Sequence, residues 1–496
     1  MQLSLPKFSW PLVALIILLS IAASLRFFDI SSESLWNDEL ASWVMSDHDS
    51  LDSVVKIGVK PDVHPPGYYV LLYYVINHLG DSEWALRFPS AVAGIISVLV
   101  IYLIGARLYT YKEGLTAAAI LTVSWHAIFY SQEARTNSLL LLSTSVAFYF
   151  WFELIKRLEK DGKLSLGPVL GYLTFSIASC YLHYFGLQLI ILQLAYGILI
   201  FIAAPRTLGR WLIITTAITI SYLPWVPSMI EQFSSHKKIW IQEPELFSAI
   251  LDLFDFAFDD VFWVLCIVVS VYILFTYKSA LEIANEQGTG FQFRRIFTSP
   301  NILLILWATV PFFASFIQSK VSTPVLIMRN LIIILPPLYL IFARGIWLIK
   351  PSKLSILLLS MLVLRMSMML EGYYNQIQKE QFREVTAYVV QKEGKRITLP
   401  MIAFTWDKRY FDYYLSKMGI NERISFNAGR KQDVARLQVF LMEKDIKEFW
   451  YMTGHRVPDD EFMLYLRSNC EISDEMKFYG ANVLRCKYDE IKKLKD

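Results

Sequence analysis

The sequence predicts an α-helical polytopic membrane protein with a small α/β domain at its C-terminal end. Three observations carry that class. The 496-residue chain is 55% hydrophobic and only 18% charged, with a mean hydropathy of +0.41, values that soluble domains rarely reach. Apolar stretches of roughly 20 residues, the length that crosses a bilayer, recur from residue 11 to residue 371. From Gly372 onward the pattern turns charged and mixed. The net charge of +3 is too small to point to nucleic acid.

In order, the candidate spans are residues 11–28, 88–106, 115–130, 138–154, 168–183, 185–203, 211–229, 260–277, 300–318, 327–349 and 354–371, about eleven in all. The first lacks a small-x-small cleavage site and reads as an uncleaved span rather than a signal peptide. The fifth and sixth are separated only by the short break Leu182-His183-Tyr184-Phe185. An odd number of spans puts the two termini on opposite sides. With the N-terminus inside, the inner loops carry Lys7, Arg107, Lys112, Lys156, Arg157, Lys160, Lys163, Arg206, Arg210, Lys278, Arg294, Arg295, Lys350 and Lys353, and the short outer loops carry fewer cations. That bias places the first long loop and the tail on the extracytoplasmic side. The expected domains are 1–371, a transmembrane domain with a first outer loop at 29–87, and 372–496, a soluble extracytoplasmic α/β domain.

In the tail, Phe382, Val385, Val389 and Val390 share one face of a helix expected over Gln378 to Gln391. Arg409 to Lys417 and Gln432 to Glu443 also read as helices. Ile397 to Thr405, Glu448 to Met452 and Asn482 to Cys486 read as strands. This alternation predicts a partly parallel sheet, and no GxGxxG fingerprint supports nucleotide binding. Of the four cysteines, Cys180 and Cys266 lie in apolar segments and are expected to be inert. Cys470 and Cys486 lie in the tail, where an oxidising compartment permits a disulfide.

The chemistry-bearing motifs sit beside the outer ends of the spans. The loop Asp29 to Trp84 holds Trp36-Asn37-Asp38-Glu39 and Asp62-Val63-His64-Pro65-Pro66. A carboxylate there suits a general base for an acceptor hydroxyl; its bland reading is a solvated side chain or a helix cap. The two prolines stiffen the turn that carries Asp62 and His64. Glu133 and Arg135, in Ser131-Gln132-Glu133-Ala134-Arg135, lie close to lipid, where ionisable groups mark sites by default. Arginine suits a phosphate through paired donors. His183-Tyr184 and Arg329-Asn330 fall on the same side, with packing and snorkelling as their bland readings. Lys237, Lys238 and Trp240 suggest an interfacial loop. Asp38, His64, Glu133, Arg135, His183 and Arg329 are far apart in sequence yet map to one membrane face, which packing accidents would not produce.

These motifs, with Ser82-Glu83-Trp84-Ala85-Leu86-Arg87-Phe88-Pro89-Ser90, His183-Tyr184-Phe185-Gly186 and Pro336-Pro337, resemble the GT-C class of integral-membrane glycosyltransferases. The similarity is nearest to the bacterial branch of family 39, the protein O-mannosyltransferase-like group, with lipid A aminoarabinose transferases more distant. It covers roughly residues 10–385. The resemblance implies a sugar donor carried on a polyprenyl phosphate and an inverting transfer with the first-loop aspartate, here Asp38, as base. It gives Glu39 a catalytic place beside it, with Asp62, His64, Glu133, Arg135, His183, Tyr184 and Arg329 as substrate or donor-phosphate residues. Three departures stand out. Eukaryotic relatives follow His-Pro-Pro with a lysine suited to the phosphate, where this chain has Gly67-Tyr68-Tyr69-Val70. Many bacterial relatives have Arg-Tyr where this chain has Arg329-Asn330. The tail is not a β-trefoil sequence.

The expected function is therefore inverting glycosyl transfer from a polyprenyl-phosphate sugar to a hydroxyl acceptor of the cell envelope, at the outer face of a bacterial cytoplasmic membrane. The phosphate falls to Arg135 or Arg329. No obligatory metal or other cofactor is expected, since no His/Cys ligand set is visible; the partners are donor, acceptor and membrane lipid, not nucleic acid. The alternatives are a transporter or flippase of a lipid-linked sugar, which would show internal repeats or broken midplane helices, and a non-catalytic envelope-complex subunit using the tail as its interaction module.

Overall fold

A computed structural model of the chain describes residues 10–235, 241–258, 262–285 and 296–488. The chain divides into two compact units. The first comprises Met1–Phe28, Ser50–Tyr74 and Arg87–Gly372; the second comprises Asp29–Asp49, Val75–Leu86 and Tyr373–Asp496. Against the expected division at 371/372, the difference lies in the first loop, much of which joins the C-terminal residues. The expected interfacial residues Lys237, Lys238 and Trp240 lie outside the described residues.

The first unit is a helical membrane unit. Among the described residues of the chain, eight helices are long and apolar enough to cross a membrane, and up to nine if a bent pair counts as one span. Eight of the expected spans correspond to these helices. The expected span 115–130 is the bent pair, Tyr111–Val123 and Trp125–Ser131, with an angle of 63° between its halves. The span expected at 168–183 is the 17-residue apolar helix Leu166–Leu182, and that at 260–277 falls largely on the helix Phe262–Asn285.

The bend has a cost that the neighbouring span meets. Breaking a helix in an apolar surrounding strands carbonyls that no water can reach. Arg26, fully buried at the end of helix Trp10–Phe27, donates to Leu121 O at 3.0 Å and Thr122 O at 3.3 Å. Gln132 returns the favour, its Nε2 donating to Phe28 O at 2.7 Å. The two helix ends are thereby tied together, and the polar stretch 132–136 is held at a fixed place.

The second unit is built on a five-stranded sheet of order β2-β1-β3-β5-β4, with β1 Met401–Phe404, β2 Phe426–Asn427, β3 Glu448–Gly454, β4 Cys470–Phe478 and β5 Ala481–Tyr488. β1 pairs in parallel with both β2 and β3, whereas β5 is antiparallel to β3 and β4. The expected partly parallel sheet is thus present. Ile402, Phe404, Leu437, Leu441, Phe449 and Phe462 form its apolar core. Cys470 and Cys486 are disulfide-bonded, with Cα atoms 5.3 Å apart.

The first-loop segments belong to this unit through polar contacts. The Leu35 amide donates to Tyr414 Oη at 2.6 Å, and Tyr413 donates to Asp81 O at 2.6 Å. Lys417 pairs with Asp81, and Arg383 with Glu83 at 3.3 Å. Lys379 and Glu39, both buried, form an ion pair at 3.3 Å. A sequence read in windows treats the loop as an appendage of the spans; these long-range partners make Asp29–Asp49 and Val75–Leu86 part of the C-terminal lobe.

Candidate active site

The membrane unit contains a cavity of about 570 Å³ whose lining includes His64, Glu133, Arg135, His183, Tyr184 and Arg329. Six sequence-expected residues from four separate segments therefore meet in one cavity. Asp62 stands behind them, its Oδ2 2.5 Å from His64 Nδ1.

Each side chain is held by local structure. The rigid Pro65-Pro66 turn leads into helix Gly67–Leu79. Gly67 lies against the chain at Tyr181, where a Cβ would be 2.6 Å from the Tyr181 carbonyl oxygen. That approach excludes any side chain, so the lysine that follows His-Pro-Pro in eukaryotic relatives has no room here. Gln232 braces the turn from outside, donating through Nε2 to Val59 O at 3.0 Å and to His64 O at 3.3 Å. Its Oε1 accepts from Tyr184 Oη at 2.5 Å, and Trp225 Nε1 donates to the same tyrosine at 3.2 Å.

His183 caps helix Tyr184–Phe201. Its Nδ1 accepts from the Phe185 amide at 3.2 Å, and its ring centroid lies 5.6 Å from that of His64. The short break seen in sequence is this cap. Ser90 Oγ donates to Arg135 O at 3.1 Å, and Thr136 Oγ1 to Leu182 O at 3.1 Å, fixing the backbone on either side of the Arg135 side chain. Arg329 belongs to the 3-10 segment Met328–Ile334, and Pro336 and Pro337 open the following helix Leu335–Leu348, where proline costs no hydrogen bond. Two arginines and two imidazoles around a largely apolar cavity are groups whose chemistry suits an anion.

Asp38 and Glu39 belong to the second unit. Helix Asn37–Ser46 begins with them. The two carboxylates have different surroundings. Glu39 is fully buried; it pairs with Lys379, and its Oε2 accepts from the Trp36 amide at 3.4 Å. These contacts tie the start of the helix to the C-terminal residues. Asp38 is partly exposed, and its Oδ1 accepts from Asn37 Nδ2 at 3.1 Å. The Asn37 amide donates to Glu380 Oε2 at 3.0 Å, and Glu380 Oε1 lies 2.5 Å from His455 Nδ1. Glu380, accepting this hydrogen bond, and then Asp38 by charge hold the His455 pKa above its ordinary value, with burial and Arg456 opposing.

Residues 63–230 match the family described as dolichyl-phosphate-mannose-protein mannosyltransferase. Comparison with curated proteins finds no match. Among solved structures, the archaeal oligosaccharyltransferase AglB from Archaeoglobus fulgidus, in complex with an inhibitory peptide and a dolichol-phosphate, aligns over 90% of this chain and 70% of its own. It does so at 11% identity with a TM-score of 0.54. An Archaeoglobus fulgidus oligosaccharyltransferase tethered to an acceptor peptide aligns over 90% and 69% at 10% identity, TM-score 0.52. Apo ArnT from Cupriavidus metallidurans aligns over 95% and 97% at 12% identity, TM-score 0.48. The chain has the GT-C fold that these membrane enzymes share. Within the GT-C fold the family match spans His64, Glu133, Arg135, His183 and Tyr184, and Asp38, Glu39 and Arg329 lie outside it.

Lys379, Glu380, His455 and Gln232 were not singled out by sequence reasoning. Only the Lys379-Glu380 pair, directly after the last span, carried a signal, as charges at the start of a helix expected over Gln378 to Gln391. Among the described residues no group of three or more His, Cys, Asp or Glu side chains could hold a metal ion.

Proposed function

We propose that the protein transfers a sugar with inversion from a polyprenyl phosphate to a hydroxyl of a cell-envelope acceptor, at the outer face of a bacterial cytoplasmic membrane. The observation that carries this reading is the cavity lined by Arg135 and Arg329 together with His64, His183, Tyr184 and Glu133. AglB, which shares the fold, holds a dolichol-phosphate. The Cys470–Cys486 disulfide supports an extracytoplasmic lobe, as does the lysine and arginine bias of the loops.

In the reaction, Asp38 takes the proton of the acceptor hydroxyl. The oxygen attacks the anomeric carbon from the face opposite the phosphate, and the bond to the phosphate oxygen breaks with its electron pair. Negative charge grows on that phosphate as it leaves, so Arg135 and Arg329 stabilise the transition state more than the ground state. The leaving group needs no proton, and these two guanidiniums supply the positive charge that a metal supplies elsewhere.

The test uses purified protein with a labelled polyprenyl-phosphate sugar. Asp38→Asn is expected to lower kcat roughly 10²–10⁴-fold while donor binding persists. Arg135→Gln and Arg329→Gln are each expected to weaken donor binding roughly 10–100-fold. Full transfer by the Asp38→Asn protein sinks the base assignment, and unchanged donor binding in both arginine variants sinks the phosphate site.

A further inference from the structure

In open α/β sheets, ligands bind outside the carboxyl ends of the parallel strands, where the strand order reverses. The second unit has one such point. The chain runs from β1 to β2 on one side and then to β3 on the other, so the crevice opens beyond Phe404 and Gly454. The turn after each of the three parallel strands contributes to it: Thr405-Trp406 after β1, Arg430 after β2, His455-Arg456 after β3.

The turns are tied to one another. The Asp459 amide donates to Gly429 O at 2.8 Å, the Lys431 amide to Asp459 Oδ2 at 3.0 Å, and Tyr451 Oη to Ala428 O at 3.0 Å. His455 holds a left-handed conformation, φ 64°, with its amide on Gly480 O at 3.0 Å. What this frame presents is cationic and aromatic. The Arg456 guanidinium stacks 3.6 Å from the centroid of Trp406, whose side chain is 57% exposed. Burial and then the like charge of Arg430 hold the Arg456 pKa below its ordinary value. Among the described residues neither guanidinium has a carboxylate partner, although carboxylates are plentiful nearby; Asp433 meets Arg430 through the backbone amide, at 2.9 Å. At the same strand end the buried Thr405 hydroxyl has no hydrogen-bond partner among the described residues. Two guanidiniums on neighbouring turns, one of them over an indole, with no carboxylate partner among the described residues, suit an anion.

We propose that this crevice is an acceptor subsite, and that it takes a saccharide bearing a phosphate or carboxylate group. The anion sits between Arg430 and Arg456, with the sugar ring beside Trp406. The placement rests on reading Asp38 as the acceptor's base. The turn that carries Arg456 also carries His455, which reaches the Asp38 helix through Glu380 and Asn37.

The full-length protein in detergent micelles is titrated with glucose 6-phosphate and with glucose, followed by saturation-transfer difference NMR. Glucose 6-phosphate is expected to bind roughly tenfold more tightly. The Arg430→Gln/Arg456→Gln double variant is expected to lose that preference, while Arg456→Lys, which keeps the charge, retains part of it. Asp38→Asn and Arg135→Gln/Arg329→Gln are expected to bind glucose 6-phosphate as the parent does, so failure of the transferase reading does not imitate failure of the subsite. Equal binding of both sugars overturns the proposal. So does persistence in the Gln double variant, loss in Arg456→Lys equal to that in the double variant, or loss in the Arg135→Gln/Arg329→Gln protein. Inorganic phosphate or a phosphoserine peptide binding as tightly as glucose 6-phosphate removes the saccharide from it.

Discussion

The first loop supplies two acidic motifs of similar appearance, and the fold gives them opposite surroundings. Asp62, about one-fifth exposed, meets His64 at the cavity of the membrane unit. Glu39 is sealed in the mixed lobe against Lys379, with no exposed surface. In the first pair the side chains stay near solvent and the contact serves to orient an imidazole. In the second, both charges have left water, and the contact is a condition of folding. A carboxylate's role thus follows from where its partner comes from: two residues away for Asp62, and 340 residues away for Glu39.

That comparison breaks most readily at Lys379. Lys379→Met takes from buried Glu39 its Lys379 counter-ion and is expected to destabilise the mixed lobe by about 3–5 kcal/mol. Asp62→Asn is expected to cost about 1 kcal/mol or less. Thermal unfolding and limited proteolysis of the tail compare the two, and a Lys379→Met/Glu39→Leu double variant recovers most of the loss. Equal losses at the two sites would dissolve the distinction. Next in size is the disulfide, which closes a loop of 16 residues; reducing it is expected to remove about 3 kcal/mol from the lobe and nothing from donor binding in the membrane unit.

Gly67→Ala sharpens the membrane side. A methyl group 2.6 Å from a backbone oxygen forces a shift expected to cost about 1–3 kcal/mol and to weaken donor binding by moving His64. The smallest effect is pH-dependent. The folded pKa of His455 is raised, so its contribution to stability is complete below the ordinary histidine value and disappears as pH rises through the raised one. Because the imidazole is one-third exposed, the contribution is about 1 kcal/mol or less. His455→Gln should flatten the lobe's unfolding profile above about pH 6.5, whereas His64→Gln should leave that profile as it is.

The spans and the cavity residues were legible because hydropathy and intramembrane charge are local signals. Glu133, Arg135 and His183 announce themselves by standing next to lipid. The helix Arg409–Lys417 falls where its sequence placed it, since its apolar face is periodic. Strand β4 was missed because Glu471, Asp474, Glu475 and Lys477 give an edge strand the look of a solvated loop. The burial of Glu39 was invisible for another reason: its partner lies beyond any window, and a buried glutamate and an exposed one are the same letter. The loop was read as a unit because it is continuous in sequence, whereas its contacts divide it.

The Glu39–Lys379 pair also sets a timetable. At ribosomal rates of about 5–20 residues per second, the two residues are made some tens of seconds apart. Through that interval the helix bearing Asp38 has neither its buried counter-ion nor Glu380, Tyr413 and Tyr414 to dock on. The segment that carries the proposed base is thus among the first parts of the chain to be synthesised and among the last to acquire its shape, so a nascent chain that has completed its spans still lacks the contacts that hold that segment.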